Sequence, residues 1–311
     1  MKIVAVEPIG MVSEQIQYYE ALFANMGHQL IVFSDRKEDA ESLKSRIQGT
    51  DIIIVSNIRL DKDILSVCPQ LKMISVAFTG IDHIDQEYCR EHQIKIYNAA
   101  GYATVAVAEL TIALILDLYR KITVLDAETR KGGTRGQFLG QQIRGKKVGI
   151  VGTGAIGKET ALLLQTLGAE VCAWSRREAE ELLQRGISYL SLEELLSICD
   201  IISLHLPLTS ETTHLLSAEK LALCKQNAVI INTARGKVID IPALAKALQE
   251  RKIAGAAIDV FEIEPPLLTS HPLFSAPNCI VVPHIGYATR EAFNIRIDIV
   301  MENIVKWINE Q

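Results

Sequence analysis

The chain has 311 residues, 49% of them hydrophobic, enough for two domains with cores of their own. Its net charge of -5 and the lack of a basic tract argue against nucleic acid as the main partner, because neutralising phosphates needs clustered lysine and arginine. Six cysteines (Cys68, Cys89, Cys172, Cys199, Cys224, Cys279) without Cys-x-x-Cys spacing read as reduced thiols, and the scattered histidines show no ligand spacing, so neither a disulfide framework nor a metal is expected.

The amino end enters directly into a strand-like run, Lys2 to Val6, so no signal or transit peptide is expected and the cytosol is the default location. Strand-like runs at 2–6, 28–33, 51–55, 73–77 and 94–97 alternate with helical stretches at 13–26, 37–48 and 61–66, which describes a parallel α/β unit. Asn57 and Arg59, after the third run, either line a pocket or are ordinary loop residues. The longest apolar stretch, Val105 to Leu118, is interrupted by Glu109, Thr111 and Asp117 and is shorter than the roughly 20 residues that span a bilayer. A buried connecting helix ending near Lys121 is expected instead, with the charged segment Asp126 to Arg135 behind it, a region suited to lying against a second subunit.

A second alternation begins at Lys147. The run Lys147 to Val151 reads as a buried strand, Lys158 to Gly168 as a helix, and Glu170 to Trp174 as the next strand. Between the first two lies Gly152-Thr153-Gly154-Ala155-Ile156-Gly157, in the strand-before, helix-after context that a dinucleotide fingerprint requires. Gly152 permits the tight turn, Gly154 lets backbone approach a pyrophosphate, and Gly157 allows close packing of helix on strand. A glycine-rich turn without a ligand is the plainer alternative.

At the tip of the second strand a carboxylate would favour NAD by bonding the ribose 2′-hydroxyl. Here the tip reads Ser175-Arg176-Arg177, a hydroxyl and two guanidiniums that suit a 2′-phosphate, so NADP is favoured and NAD possible. The alternative is that both arginines are solvated charges before the acidic Glu178, Glu180 and Glu181. Further strands are expected near 200–204, 228–232, 254–258 and 279–282. The last stretch, Thr289 to Asn309, reads as an amphipathic helix whose return to the first unit would leave a cleft between domains.

Several motifs, in order along nearly the whole chain, carry a resemblance. They are Ala77-Phe78-Thr79-Gly80-Ile81-Asp82-His83-Ile84-Asp85, Val107-Ala108-Glu109-Leu110, the glycine fingerprint, His205-Leu206-Pro207-Leu208-Thr209, Asn232-Thr233-Ala234-Arg235-Gly236, Asp259-Val260-Phe261-Glu262-Ile263-Glu264-Pro265 and Pro283-His284-Ile285-Gly286. The chain resembles the D-isomer-specific 2-hydroxyacid dehydrogenases. The resemblance implies an α/β fold of two domains: a flavodoxin-like substrate-binding domain of residues 1–100 and 286–311, and a Rossmann-type doubly wound dinucleotide-binding domain of residues 101–285. It also implies a homodimer.

Reducing a 2-keto acid requires a hydride at the carbonyl carbon, a proton for the oxygen and a cation that holds and polarises the substrate. His284 is the natural proton donor, because imidazole titrates near the working pH, and Glu264 would orient it. Arg235, after the apolar strand Ala228 to Ile231, sits where open α/β sheets bind ligands, and its planar guanidinium can hold a carboxylate and the reacting oxygen. An interdomain salt bridge for Arg235 and a satisfied buried ring for His284 are the structural alternatives.

By resemblance, the backbone of Phe78-Thr79-Gly80 would bind the substrate carboxylate, with Asn57 near the same pocket. Phe78 stands where relatives often carry a small residue, which implies a narrower or more apolar pocket. Asp259 would contact the nicotinamide carboxamide, His205 and Pro207 would flank the ring, and Thr233 and Ala234 would add backbone contacts. His83, His92, His214 and His271 are expected to be structural or exposed.

A phosphorylated substrate would want basic residues beside the substrate loop, where only Arg59 and Lys72 are candidates. A small unphosphorylated keto acid such as glyoxylate or hydroxypyruvate is therefore the first expectation. A 3-phosphoglycerate dehydrogenase lacking the C-terminal regulatory domain is the alternative. A nicotinamide-sensing corepressor shares the fold and the Arg-Glu-His set, but such proteins add flexible tails. A formate dehydrogenase of the same superfamily would carry an amide in place of Glu264.

Overall fold

A computed structural model describes residues 1–263 and 266–311. In chain order the elements are β1 (Lys2–Ala5), α1 (Ser13–Asn25), β2 (Gln29–Val32), α2 (Ala40–Ile47), β3 (Ile52–Val55), α3 (Lys62–Leu65), β4 (Met73–Val76), α4 (Gln86–Glu91), β5 (Lys95–Asn98), α5 (Thr104–Arg120) and α6 (Ile122–Arg130). They continue with β6 (Lys147–Val151), α7 (Ala155–Thr166), β7 (Glu170–Trp174), α8 (Glu180–Gln184), β8 (Ser188–Tyr189), α9 (Leu192–Ile198), β9 (Ile201–Leu204), α10 (Ala218–Leu221), β10 (Val229–Asn232), α11 (Ile241–Gln249), β11 (Gly255–Ile258), β12 (Cys279–Val281) and α12 (Arg290–Asn309). Contacts divide the chain into two compact units, Met1–Ala103 with Thr289–Gln311, and Thr104–Ala288.

The first unit holds a parallel sheet in the order β2-β1-β3-β4-β5, the flavodoxin-like order. Its central strands, Ile-Ile-Ile-Val in β3 and Met-Ile-Ser-Val in β4, are buried throughout, as expected of a sheet covered on both faces. One face packs Val4, Ile53, Val55, Ile74 and Val76 against Leu43 and Ile47 of α2 and Tyr88 of α4. α12 belongs to this unit and buries Ile297, Val300, Met301, Ile304 and Trp307, with the Ser75 hydroxyl on β4 donating to the Val300 carbonyl at 3.3 Å.

The second unit holds a parallel sheet in the order β12-β11-β10-β9-β6-β7-β8. Numbered within the unit, this is the doubly wound Rossmann order 3-2-1-4-5-6 extended by one strand. Alternate strand residues enter two different cores. Ile201, Val229 and Ile231 join Leu114, Ile115 and Leu118 of α5 and Leu164 of α7, while Ile202 and Ile230 join Leu195 and Leu196 of α9 and Leu244 and Leu248 of α11. The fold class read from the sequence is thus observed.

Several helix starts are set by side-chain caps that satisfy otherwise orphaned N–H groups. The stretch expected to be helical from 37 begins at Ala40, because Asp39 accepts from Ser42 N–H and fixes the first turn there. The expected 61–66 begins one residue later for the same reason, with Asp61 accepting from Ile64 N–H. The charged segment Asp126 to Arg135 divides: its first part lies in α6, which starts after Lys121 turns left-handed (φ 51°), and its second part is loop. Among the described residues, no helix is long and apolar enough to cross a membrane.

Candidate active site

β6 delivers the fingerprint to the carboxyl edge of the second sheet. Gly152 has φ 98°, and a Cβ there would stand 2.5 Å from the His205 carbonyl oxygen, so only glycine turns the chain here. At Gly157 a Cβ would stand 1.9 Å from the Gly152 oxygen. Gly154 differs, because beyond its chain neighbours no heavy atom of the described residues lies within 4 Å of where its Cβ would be. The open space lies at the start of α7, whose first residues are Ala155 and Ile156, and whose N-terminus carries no side-chain cap and no acidic residue in its first turn. Open backbone at a positive helix end fits a pyrophosphate.

The β7 tip is tied to this loop. Tyr189 donates from its hydroxyl to Thr153 Oγ1 at 3.0 Å and accepts from Ala179 N–H at 2.8 Å, and Thr153 Oγ1 donates to the Arg177 carbonyl at 3.4 Å. The cavity beside the tip is lined by Gly152, Thr153, Ser175, Arg176, Pro207 and Glu211, among others. Arg176 pairs with Glu211 at 3.0 Å, both side chains being largely exposed, whereas Arg177 is exposed and makes no polar contact through its side chain among the described residues. His205 follows β9. Its Nε2 meets Ser203 Oγ at 2.9 Å while Nδ1 is enclosed without a hydrogen-bond partner among the described residues. Burial pushes its pKa down to about 3, so this ring is neutral at working pH.

The adjacent strands β10, β11 and β12 run in register, with Asn232 opposite Ile258 and Ile258 opposite Val281. The residues just beyond them therefore share the same edge as the fingerprint. Beyond β10, the buried Asn232 shapes the turn: its Oδ1 accepts from Ala234 N–H at 3.0 Å and its Nδ2 donates to the Arg235 carbonyl at 2.9 Å. Thr233 is buried and meets Thr111 Oγ1 of α5 at 3.0 Å. Arg235 is half-buried in extended conformation, and Gly236 behind it has no room for a Cβ, which would stand 2.0 Å from the Phe261 carbonyl carbon.

Beyond β11, Asp259 is 1% exposed and accepts from Ile285 N–H at 2.7 Å and Gly286 N–H at 2.9 Å. Its carboxylate thus anchors the loop that carries His284 beyond β12. His284 is half-buried, has a left-handed backbone (φ 54°) and sets its ring perpendicular to Tyr287 at 5.3 Å. A non-glycine residue in this region is strained unless its surroundings hold it, and the two Asp259 bonds do so. Glu264 lies outside the described residues. A different histidine–carboxylate contact occurs nearby, His271 Nε2 to Glu262 Oε2 at 3.5 Å.

In the first unit, the loops after β3 and β4 also share a carboxyl edge, since Val55 pairs with Val76. Asn57 and Thr79 are exposed there, Gly80 is half-exposed, and the Thr79 carbonyl accepts from Asn98 Nδ2 at 2.7 Å. Phe78 packs against the core with its ring 6.1 Å from Tyr102. Lys72 does not belong to this edge. It precedes β4, at the opposite end of the strand, and faces Asp51 at 3.9 Å, which corrects its expected place beside the substrate loop.

Residues 112–286 match the family model described as D-isomer specific 2-hydroxyacid dehydrogenase, NAD binding domain. The chain belongs to the D-isomer-specific 2-hydroxyacid dehydrogenase family. It is 41% identical over 275 residues to a glyoxylate reductase of Thermococcus litoralis, covering 85% of this chain and 82% of the relative. It is 37% identical to a D-3-phosphoglycerate dehydrogenase of Methanocaldococcus jannaschii, covering 86% of this chain but 51% of that protein. A solved acyclic imino acid reductase in complex with NADPH and D-Arg superposes with a TM-score of 0.89 at 30% identity, covering 100% of this chain and 98% of the other. This 2-hydroxyacid dehydrogenase is an oxidoreductase that uses a nicotinamide dinucleotide.

Several residues that build the dehydrogenase's candidate site were not read from its sequence. Tyr189 and Glu211 act through contacts made when separated loops meet, and no local pattern announces them, whereas Asn232 stands inside a motif visible in the sequence but its turn-forming bonds to Ala234 and Arg235 do not show there. Asp259 is legible as a candidate in its motif, but its bonds to the His284 loop are not.

Proposed function

We propose that this dehydrogenase reduces a small unphosphorylated 2-keto acid, glyoxylate or hydroxypyruvate, to the D-2-hydroxy acid, with NADPH preferred over NADH. The observation that carries the reading is the single sheet edge along which the pyrophosphate loop, Arg235, Asp259 and His284 follow one another in register. A bound nicotinamide dinucleotide supplies the hydride. The protein's part is to hold the substrate and place a proton. Arg235 binds the carboxylate and draws electron density toward the carbonyl oxygen, and His284 gives that oxygen its proton, with Glu264 as the ring's partner. The backbone N–H groups of the 78–80 loop also bind the carboxylate, and Asn57 lines the same pocket.

The glyoxylate reductase relative supports the substrate class, and Asn57, an amide on the 78–80 loop's edge, suits a neutral hydroxymethyl tail. The NADP preference rests on the absence of a carboxylate at the β7 tip and on the NADPH-bound relative. A homodimer and a cytosolic location complete the reading. The first is supported by apolar residues left exposed on α5 and α6, the second by a cysteine pattern without paired spacings.

The test is initial-rate oxidation of NADPH and NADH with glyoxylate, hydroxypyruvate, pyruvate and phosphohydroxypyruvate, on the wild type and on His284→Ala. Turnover of glyoxylate or hydroxypyruvate, lost by about 10² to 10⁴ in the variant with nucleotide binding retained, is the expected result. Wild-type turnover in the variant overturns the acid–base assignment. Silence of the wild type with all four acids overturns the substrate assignment and shifts weight first to a branched or aromatic keto acid and then to a sensor.

A further inference from the structure

In a sheet ordered 2-1-3-4-5, the ligand crevice lies outside the carboxyl ends of β1 and β3, where the connections diverge to opposite faces. In the first unit that position is already filled. Ser56, Asn57 and Ile58, three consecutive residues after β3, point their N–H groups at one oxygen, Glu7 Oε1, at 2.8, 3.1 and 3.2 Å. Converging N–H groups of this kind form an anion nest. Glu7 stands two residues beyond β1, is 1% exposed, and turns its other oxygen to the Arg36 guanidinium. Arg36 in turn donates to Asn57 Oδ1 at 2.8 Å and to Glu38 at 2.7 Å, so this cation is matched by two carboxylates. Arg46, nearby, is engaged by Asp35 at 2.7 Å and by the Val6 carbonyl at 2.7 Å. Arg59 is exposed and makes no side-chain polar contact among the described residues.

We propose that Glu7 is a specificity-determining residue, a built-in anion that fills the nest at the β1/β3 switch point and excludes 2-keto acids whose tail carries a second negative charge. The proposal rests on the reading that this edge receives the substrate. A phosphate arriving beside Asn57 meets three N–H groups already donating to Glu7, an Arg36 guanidinium already matched, and a fixed carboxylate that repels it, with the exposed Arg59 as the one cation left to receive it among the described residues. A hydroxyl tail meets only the Asn57 amide and no such penalty.

Hydroxypyruvate and phosphohydroxypyruvate differ by that phosphate alone and are the probes. The wild type is expected to favour hydroxypyruvate in kcat/KM by about a hundredfold or more. Glu7→Gln keeps the volume and one acceptor oxygen for the three N–H groups, and Glu7→Ala empties the nest. In both, the ratio is expected to move toward the phosphorylated acid by about tenfold or more, through its KM. A purely structural role would lower kcat for both acids and leave the ratio unchanged. A folded variant with the wild-type ratio overturns the proposal, as does a wild type that takes both acids equally, a result that needs no variant to fold. A wild type inactive with both overturns the underlying substrate reading, and the proposal falls with it.

Discussion

At the scale of single residues, the proposed preference for NADPH is tested at Arg176 and Glu211. Both side chains are largely exposed, and an exposed pair of this kind contributes at most about 1 kcal/mol. A 2′-phosphate, with more charge and a forked geometry, displaces Glu211 readily, yet the carboxylate still taxes it. Removing the acid should therefore sharpen the preference for NADPH. Glu211→Gln is expected to raise the NADPH/NADH ratio in kcat/KM by roughly fivefold, while Arg176→Ala lowers it by a similar factor. Titration of initial rates against each nucleotide reads both, and equal changes for the two nucleotides would falsify the 2′-phosphate role. The arginines were legible because they directly follow a strand after a glycine fingerprint. Glu211 was not, since it lies 35 residues from Arg176 and meets it only where the β9 loop returns to the cavity.

Among the elements, α7 shows how two glycines of one motif answer to different constraints. Gly157 is held by the fold, because its Cβ would overlap the Gly152 carbonyl oxygen, a backbone atom that cannot turn aside. Gly154 has nothing at that position among the described residues beyond its chain neighbours, so the space is open to the proposed nucleotide. Gly157→Ala is expected to destabilise the protein by about 1 to 3 kcal/mol or more, in the manner of an overpacked core. Gly154→Ala should melt near the wild-type temperature and instead weaken nucleotide binding. Thermal melts with and without NADPH separate the two, and a Gly154→Ala protein as unstable as Gly157→Ala would sink the distinction.

The strands are readable because β3 is a continuous β-branched run and β9 and β10 are Ile- and Val-rich runs broken only by Ser203 and Asn232, all of them buried throughout. No helix was read between β7 and β12, and the reasons differ. α8 and α10 are about one turn long, too short to show a period, and their starts depend on local turns. α11 did carry a signal, an Asp240 cap followed by Pro242 in the first turn and an apolar face of Ile241, Leu244, Ala245 and Leu248.

On the scale of the whole molecule, the two sheets account for their own cores, but α6 is not accounted for within the chain. It spans Ile122–Arg130 and buries none of its residues, although Ile122 and Val124 are each 57% exposed and Leu125 lies beside Leu116 of α5 in a shared groove. A nine-residue helix gains too little from its own hydrogen bonds to persist in water, so most of its stability must come from packing. Val105 and Leu116 extend the same apolar surface along α5. Arg120 and Asp126, of opposite sign, lie in the same groove, and such a pair can be reciprocated across a two-fold axis, where one patch meets its own copy. A second copy of the chain is therefore the expected cover, and sedimentation at micromolar concentration should give twice the chain mass. Ile122→Glu with Leu125→Glu places two charges in that cover and should yield monomers of lower melting temperature. A wild-type chain that sediments as a monomer would leave α6 without its packing partner and remove the homodimer from the proposed function.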